Sequence, residues 1–288
     1  MRPYEGLLTA MITPFHADGG VNEDAAVAIA RHLLANGSHG LVIAGTTGEA
    51  ATLTDDEQVH LVELIVSEAG ADGAIVAGAG SNDTRHATAL TERVIAAGAQ
   101  AVLSVTPYYN KPNRRGIVRH FEEVARAAAG TPVVLYNIPG RTAVNMGPDL
   151  LAELAQIDGI AGVKQANSAE LQPIDGLAVL AGNDDLLAPC LDLGEPGGIC
   201  VASHIVGPEM RRMIDEPERR AEIHRELAPV FAAMFCTASP IPVKTALNLL
   251  GHDVGGLRLP LVDADESELA VIRSALERQG VLTGARAA

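Results

Sequence analysis

Eight apolar runs of four to seven residues punctuate the first 202 positions, at 7–13, 41–44, 74–79, 101–106, 133–136, 160–164, 177–181 and 198–202. Each is nearly continuous rather than alternating in polarity, the mark of a strand buried on both faces, as parallel strands are. Amphipathic segments fall between them. Asn22 can cap a helix whose apolar positions include Ala26, Ile29, Leu33 and Leu34. Thr54 opens another, with Asp55, Asp56 and Glu57 in its first turn and Glu57 at the spacing a capping box requires. Further helical segments are expected at 83–97, through Val118, Phe121, Val124 and Ala125, at 149–155, as a short turn at 171–174, and at 186–193 and 209–214. This rhythm predicts an α/β fold, a (β/α)8 TIM barrel over residues 1–217. A doubly wound open sheet is the alternative, but it usually carries a Gly-rich phosphate turn after its first strand. Here that turn is Thr13-Pro-Phe-His16, which cannot cradle a pyrophosphate. Beyond 217 the strand pattern stops. Helical patterns at 218–236, 243–250 and 266–279 predict a C-terminal helical appendage over 218–288, with residues 283–288 expected to be loose.

Composition narrows the partners. The 288 residues carry a net charge of −15, which argues against nucleic acid and anionic membrane surfaces while leaving room for a locally cationic site. No apolar run approaches the length of a membrane span, and the N-terminus has no sustained apolar leader, so a cytoplasmic protein is expected. The three cysteines, Cys190, Cys200 and Cys236, are odd in number and show no metal-ligand spacing. None of the nine histidines joins a cluster at metal spacing, which disfavours a metal-dependent lyase; His16, His39 and His204 read as solvated loop residues.

The candidate chemistry falls where barrels place it, at the C-terminal ends of the strands. The chain uses eighteen arginines but only three lysines, and one of them, Lys164, ends the apolar run Ile160-Ala-Gly-Val-Lys164. A guanidinium stays protonated; a lysine held in an apolar setting can shed its proton and act as an amine nucleophile. Alone, such a residue is more often a snorkelling surface lysine. Lys111, in a polar loop, and Lys244, opening a helix outside the strands, are weaker candidates. Three of the four tyrosines fall in two motifs after successive runs, Tyr108 and Tyr109 after the fourth and Tyr136 at the end of the fifth. Gly45-Thr-Thr-Gly-Glu49 follows the second run and can present backbone N–H groups to a carboxylate, although an ordinary βα turn reads the same way. Arg141, exposed by the Pro139-Gly140 turn, suits a second carboxylate. Asn82, Gly182 with Asn183, and Ser203 follow the remaining runs.

Taken together, Gly45-Thr-Thr-Gly-Glu49, Pro107-Tyr-Tyr-Asn-Lys-Pro112, Tyr136-Asn-Ile-Pro-Gly-Arg-Thr142, Gly162-Val-Lys164, Ser239-Pro-Ile-Pro-Val-Lys-Thr-Ala-Leu-Asn248 and Leu257-Arg-Leu-Pro260 resemble the dihydrodipicolinate synthase / N-acetylneuraminate lyase family of class I aldolases. The motif around Tyr136 and Arg141 resembles the synthase branch. The resemblance implies condensation of pyruvate with L-aspartate-4-semialdehyde to 4-hydroxy-tetrahydrodipicolinate, with no cofactor beyond a covalent imine of pyruvate on Lys164. It implies that Tyr136, Thr46 and Tyr109 relay protons. Thr46 and Thr47, with backbone at Gly182 and Ile199, would hold the pyruvate carboxylate, and Arg141 the carboxylate of the semialdehyde. It further implies a homo-oligomer, a dimer of dimers, in which Tyr109 reaches a neighbouring subunit's site. Two other functions stay open: an aldolase for a 2-keto-3-deoxy sugar acid or N-acetylneuraminate, and a non-catalytic homologue acting as a binding or assembly partner. The chain departs from lysine-inhibited members at Ala50, Asp55, Gln58 and His86, although Asn82 and Tyr108 match, so weak or absent feedback by L-lysine is expected. Gln165 also stands where an acidic residue often follows the lysine.

Overall fold

The computed structural model describes residues 1–282; the segment 283–288, expected to be loose, lies outside the described residues. Strands β1 (Gly6–Ala10), β2 (Gly40–Ile43), β3 (Ala74–Gly78), β4 (Ala101–Val105), β5 (Val133–Asn137), β6 (Ile160–Gln165), β7 (Ala178–Ala181) and β8 (Gly197–Cys200) close into a barrel in sequence order. Every neighbouring pair is parallel, and β8 returns to β1 through the register Leu8↔Ile199.

Alternate residues of each strand face opposite ways, and here both ways are dry. Leu8, Val42, Val76, Leu103, Val134, Tyr136, Leu180 and Ile199 form one buried cluster inside the barrel. Leu7, Leu41, Ile75 and Val102 point outward into a second cluster, and Val133, Leu135, Val163 and Val179 into a third. Burial on both faces is why the runs read as continuous rather than alternating. Around the barrel lie α1 (Glu23–Ala35), α2 (Asp55–Ala69), α3 (Thr84–Ala96), α4 (Arg114–Ala127), the single turn α5 (Pro139–Thr142), α6 (Pro148–Leu154), α7 (Leu187–Asp192) and α8 (Ser203–Asp215). The expected caps form: Ala25 N–H donates to Asn22 Oδ1 at 3.1 Å, and Thr54 and Glu57 make a reciprocal capping box.

The C-terminal helices α9 (Arg220–Ala233), α10 (Ile241–Leu249) and α11 (Glu266–Arg278) follow as expected. Their buried residues, including Ile223, Leu227, Val243 and Ile272, belong to the same cluster as the outward faces of β1 and β2, so apolar packing is continuous from the barrel wall into these helices.

Four local expectations are corrected. The first strand ends at Ala10 rather than at Thr13: Met11 N–H makes the last ladder bond, to Val42 O at 3.1 Å, and Ile12 N–H turns instead to His204 Nε2 at 3.2 Å. The turn expected at 171–174 is instead a 3-10 turn at Ser168–Glu170; Pro173 offers no N–H and biases Gln172 towards extended backbone. α8 begins at Ser203, earlier than 209, and accommodates Pro208 by a kink at Val206. His204 is buried: Nδ1 donates to Val201 O at 2.8 Å, and Nε2 accepts from Ile12 N–H at 3.2 Å. Burial holds its pKa down at about 4, so it serves there as a neutral structural group.

Candidate active site

Lys164 and Tyr136 lie directly opposite each other in the β5–β6 ladder, and each side chain is only 5% exposed. The Lys164 Nζ sits 4.5 Å from the centroid of the Tyr136 ring. Strand alternation accounts for the pairing. Val134, two residues before Tyr136, and Leu180, the β7 partner of Lys164, belong to the interior cluster. Lys164 has no ion-pair partner among the described residues, whereas Lys244, the other deeply buried lysine, is paired with Glu49 at 2.7 Å.

Behind this pair, on the outer face of the strands, an amide network joins their ends. Asn137 Nδ2 donates to Gln165 Oε1 and to Asn145 Oδ1, both at 3.0 Å. Met146 N–H donates back to Asn137 Oδ1 at 3.0 Å, and Gln165 Oε1 also accepts from Asn167 N–H at 3.0 Å. Asn137 follows Tyr136 and Gln165 follows Lys164, so the network ties together the strand ends that carry the two candidate side chains. Gln165, for which the sequence offered no role, is the acceptor at its centre.

Thr46 and Thr47 lie in the turn after β2, Thr46 half-buried and Thr47 buried. Glu49 N–H donates to Thr46 O at 3.1 Å, and Thr13 Oγ1 donates to Gly48 O at 2.7 Å. Ala44 (φ 53°) and Glu49 (φ 56°) bracket the turn in the left-handed region, which costs L-residues energy and persists only where surroundings enforce it. Gly78, at the end of β3, makes room for it: a Cβ there would lie 2.1 Å from Ala44 O.

Gly182 follows β7, and its N–H is committed to Gln165 O at 2.8 Å. A side chain at Gly182 would strike Ala166 N at 2.7 Å, so the ends of β6 and β7 approach too closely for any other residue. Ile199 is wholly buried inside the barrel, in the same cluster as Tyr136. Arg141 is exposed on α5, one turn beyond Tyr136, and forms no ion pair among the described residues. Tyr109 is not gathered in. It is 88% exposed at φ 68°, and Lys111 (φ 46°) lies in the same loop. Within one chain the site therefore unites Lys164, Tyr136 and the interior wall, while the Tyr109 ring projects away from the body.

Asp184 joins the site from a position that no sequence motif marks. It is 1% exposed in the turn after β7, and its carboxylate accepts from Val201 N–H at 2.7 Å and Ala202 N–H at 3.0 Å. It thereby pins the end of β8 to the turn that holds Gly182. Burial pushes its pKa up to about 6, against the pull of the two amides and of the Lys164 charge. The same burial, with Asp184 beside it, pushes the Cys200 thiol well up, leaving it protonated. The one available signal was the polar Asn183-Asp184-Asp185 run straight after an apolar strand. No group of three or more His, Cys, Asp and Glu among the described residues could hold a metal ion, and no described helix is long and apolar enough to cross a membrane.

A primary amine inside a parallel eight-stranded barrel, lying over a phenol and free of a carboxylate partner, is the equipment of a barrel lyase that works through an imine. Comparison with known proteins narrows the class. Residues 3–279 match the profile of the dihydrodipicolinate synthetase family, and the chain belongs to that family. A 4-hydroxy-tetrahydrodipicolinate synthase of Symbiobacterium thermophilum is 44% identical over 294 residues, covering 98% of this chain and 100% of the relative. The crystal structure of the enzyme from Cyanidioschyzon merolae with lysine bound superposes with a TM-score of 0.94 at 40% identity, covering 98% of this chain and 100% of that one. A structure described as a monomeric dihydrodipicolinate synthase variant superposes at 0.90 with 33% identity, covering 97% and 98% of the two chains.

Proposed function

We propose that this chain is an enzyme that condenses pyruvate with L-aspartate-4-semialdehyde to 4-hydroxy-tetrahydrodipicolinate, in the biosynthesis of diaminopimelate and lysine, through an imine on Lys164. The observation that carries the reading is the buried Lys164 amine held 4.5 Å from the Tyr136 ring centroid. The neutral amine adds to the ketone carbon of pyruvate, and loss of water gives the imine. The imine draws electrons from the methyl group, which loses a proton to become an enamine. The enamine carbon attacks the aldehyde of the second substrate, whose own amine then adds to the imine carbon, closes the ring and releases Lys164. Tyr136 carries protons at the imine carbon, aided by Thr46 and by Tyr109. Thr46 and Thr47 hold the pyruvate carboxylate, with backbone at Gly182 and Ile199 nearby. No cofactor takes part. The enzyme works in the cytoplasm as a dimer of dimers. What supports the assembly is Tyr109, which a lone chain leaves 88% exposed on strained backbone and which a partner's site would bury.

Arg141 binds the carboxylate of the semialdehyde. Its exposed, unpaired guanidinium supports this role. Arg141→Ala is expected to lower kcat/KM for aspartate semialdehyde about a hundredfold or more, while pyruvate imine formation changes by less than about threefold. Steady-state kinetics alongside borohydride trapping separates the two. Equal loss in both, or better turnover of sugar aldehydes than of aspartate semialdehyde, would point to the sugar-acid aldolase instead.

The positions that differ from lysine-inhibited relatives are engaged with one another. His86 Nε2 contacts Asp55 Oδ1 at 2.8 Å, and Gln58 Nε2 donates to Ala50 O at 3.1 Å. Groups already paired are poorly placed to grip a free ammonium and carboxylate. Submillimolar L-lysine should therefore leave turnover nearly unchanged in a coupled assay; strong inhibition would refute this.

A further inference from the structure

The turn that carries Thr46 and Thr47 is fastened from outside the barrel, by the C-terminal segment. Glu49, its last residue, has both carboxylate oxygens engaged there. Lys244 Nζ donates to Oε1 at 2.7 Å, with each side chain of this pair 1% exposed, and Arg258 N–H donates to Oε2 at 3.1 Å. Lys244 Nζ also donates to Gly256 O at 2.6 Å. The Arg258 guanidinium grips the chain just beyond the turn. Nη1 donates to Thr52 O at 2.8 Å and to Glu57 Oε2 at 3.0 Å, Nη2 to Glu57 Oε1 at 2.6 Å, and Nε to Gly19 O at 2.8 Å. Both cations rest on one ring, that of Phe15, with Lys244 Nζ at 4.2 Å and the Arg258 guanidinium at 4.5 Å from its centroid. The whole stretch from Glu49 to the first turn of α2 is thus clamped by two residues about 200 positions downstream.

A buried ion pair is weak evidence for stability, because desolvation cancels much of the attraction; its strength lies in geometric exactness. Burial indeed pulls the Lys244 pKa down, and hydrogen bonding to Glu49 holds it up. The pair acts on a residue at φ 56°, a conformation that needs outside enforcement. We infer that Lys244, Arg258 and Glu49 are positioning residues for pyruvate, holding the Thr46–Thr47 turn in the shape that receives the carboxylate. The appendage is thereby a working part of the active site rather than a covering. The inference rests on the reading of Lys164 as the pyruvate-binding amine.

The test uses the full-length protein and the double variant Glu49→Gln with Lys244→Met, which removes both charges at nearly constant volume. Its melting temperature should stay within about 5 °C of the wild type. The pyruvate concentration that half-saturates borohydride trapping should rise about ten- to a hundredfold, while the adduct yield at saturating pyruvate falls less than about threefold. A folded double variant with wild-type half-saturation refutes the inference and leaves the synthase reading intact. Absence of any adduct in the wild type refutes the reading itself, and the inference with it. If the double variant does not fold, Arg258→Lys decides. It keeps the charge but loses the fork to Glu57 and Thr52, and half-saturation should rise at least about threefold; an unchanged value overturns the proposal.

Discussion

Lys164→Arg is expected to abolish turnover, by a factor on the order of 10⁴ or more, in a protein that still folds. The substitution keeps the cation, the long aliphatic stem and the position over the Tyr136 ring. It removes only the capacity to present a neutral amine, because the guanidinium stays protonated at any pH the protein survives. The wall around the residue is apolar and closely packed, with Leu180 and Tyr136 beside it on β7 and β5. Some loss of stability from the wider head group is therefore expected, and a circular-dichroism melt run with the coupled assay separates it from the chemical loss. Residual activity within tenfold of the wild type would mean that Lys164 is a charge and not a nucleophile, and the imine route would be abandoned.

The second large effect belongs to Tyr136→Phe. The ring packs in the barrel interior with Val134, Leu180 and Ile199, and it lies 4.5 Å from the lysine nitrogen. Phenylalanine keeps all of that and deletes one oxygen. If the phenol moves protons at the imine carbon, kcat should fall roughly 10²- to 10³-fold, the range for loss of a single general acid–base group, while KM for pyruvate changes little. Stopped-flow imine formation should slow in parallel. A variant that melts like the wild type and keeps more than a third of its kcat would leave the phenol with a packing role only.

What could be read in the sequence follows from what burial does to residue choice. The eight strands were legible because each is dry on both sides, which leaves uninterrupted runs such as Val133-Val-Leu-Tyr136. Their ends are less so, since Ile12 stays buried past the last ladder bond, from Met11 N–H to Val42 O, and hydrophobicity records burial rather than hydrogen bonding. α8 was misjudged at its start because Pro208 and the kink at Val206 interrupt the helical pattern. Lys164 stood out through the scarcity of lysine and its place in an apolar run. Lys244 shares that scarcity but reads as a weaker candidate, because nothing local to it reveals that its partner, Glu49, is 195 residues away. Asp184 carries no local sign of its role, and Gln165 stands out without one, for the same reason: their work is to hold backbone and amide groups on other strands, which only the closed barrel brings within reach.

The most direct measurement is reductive trapping. The protein is incubated with pyruvate and sodium borohydride, digested, and its peptides are mapped by mass spectrometry. One pyruvate-derived adduct per chain on the peptide containing Lys164, suppressed in Lys164→Arg, is the expected result. An adduct confined to Lys111 or Lys244, or none at all, would show that the amine beside Tyr136 does not condense with a keto acid.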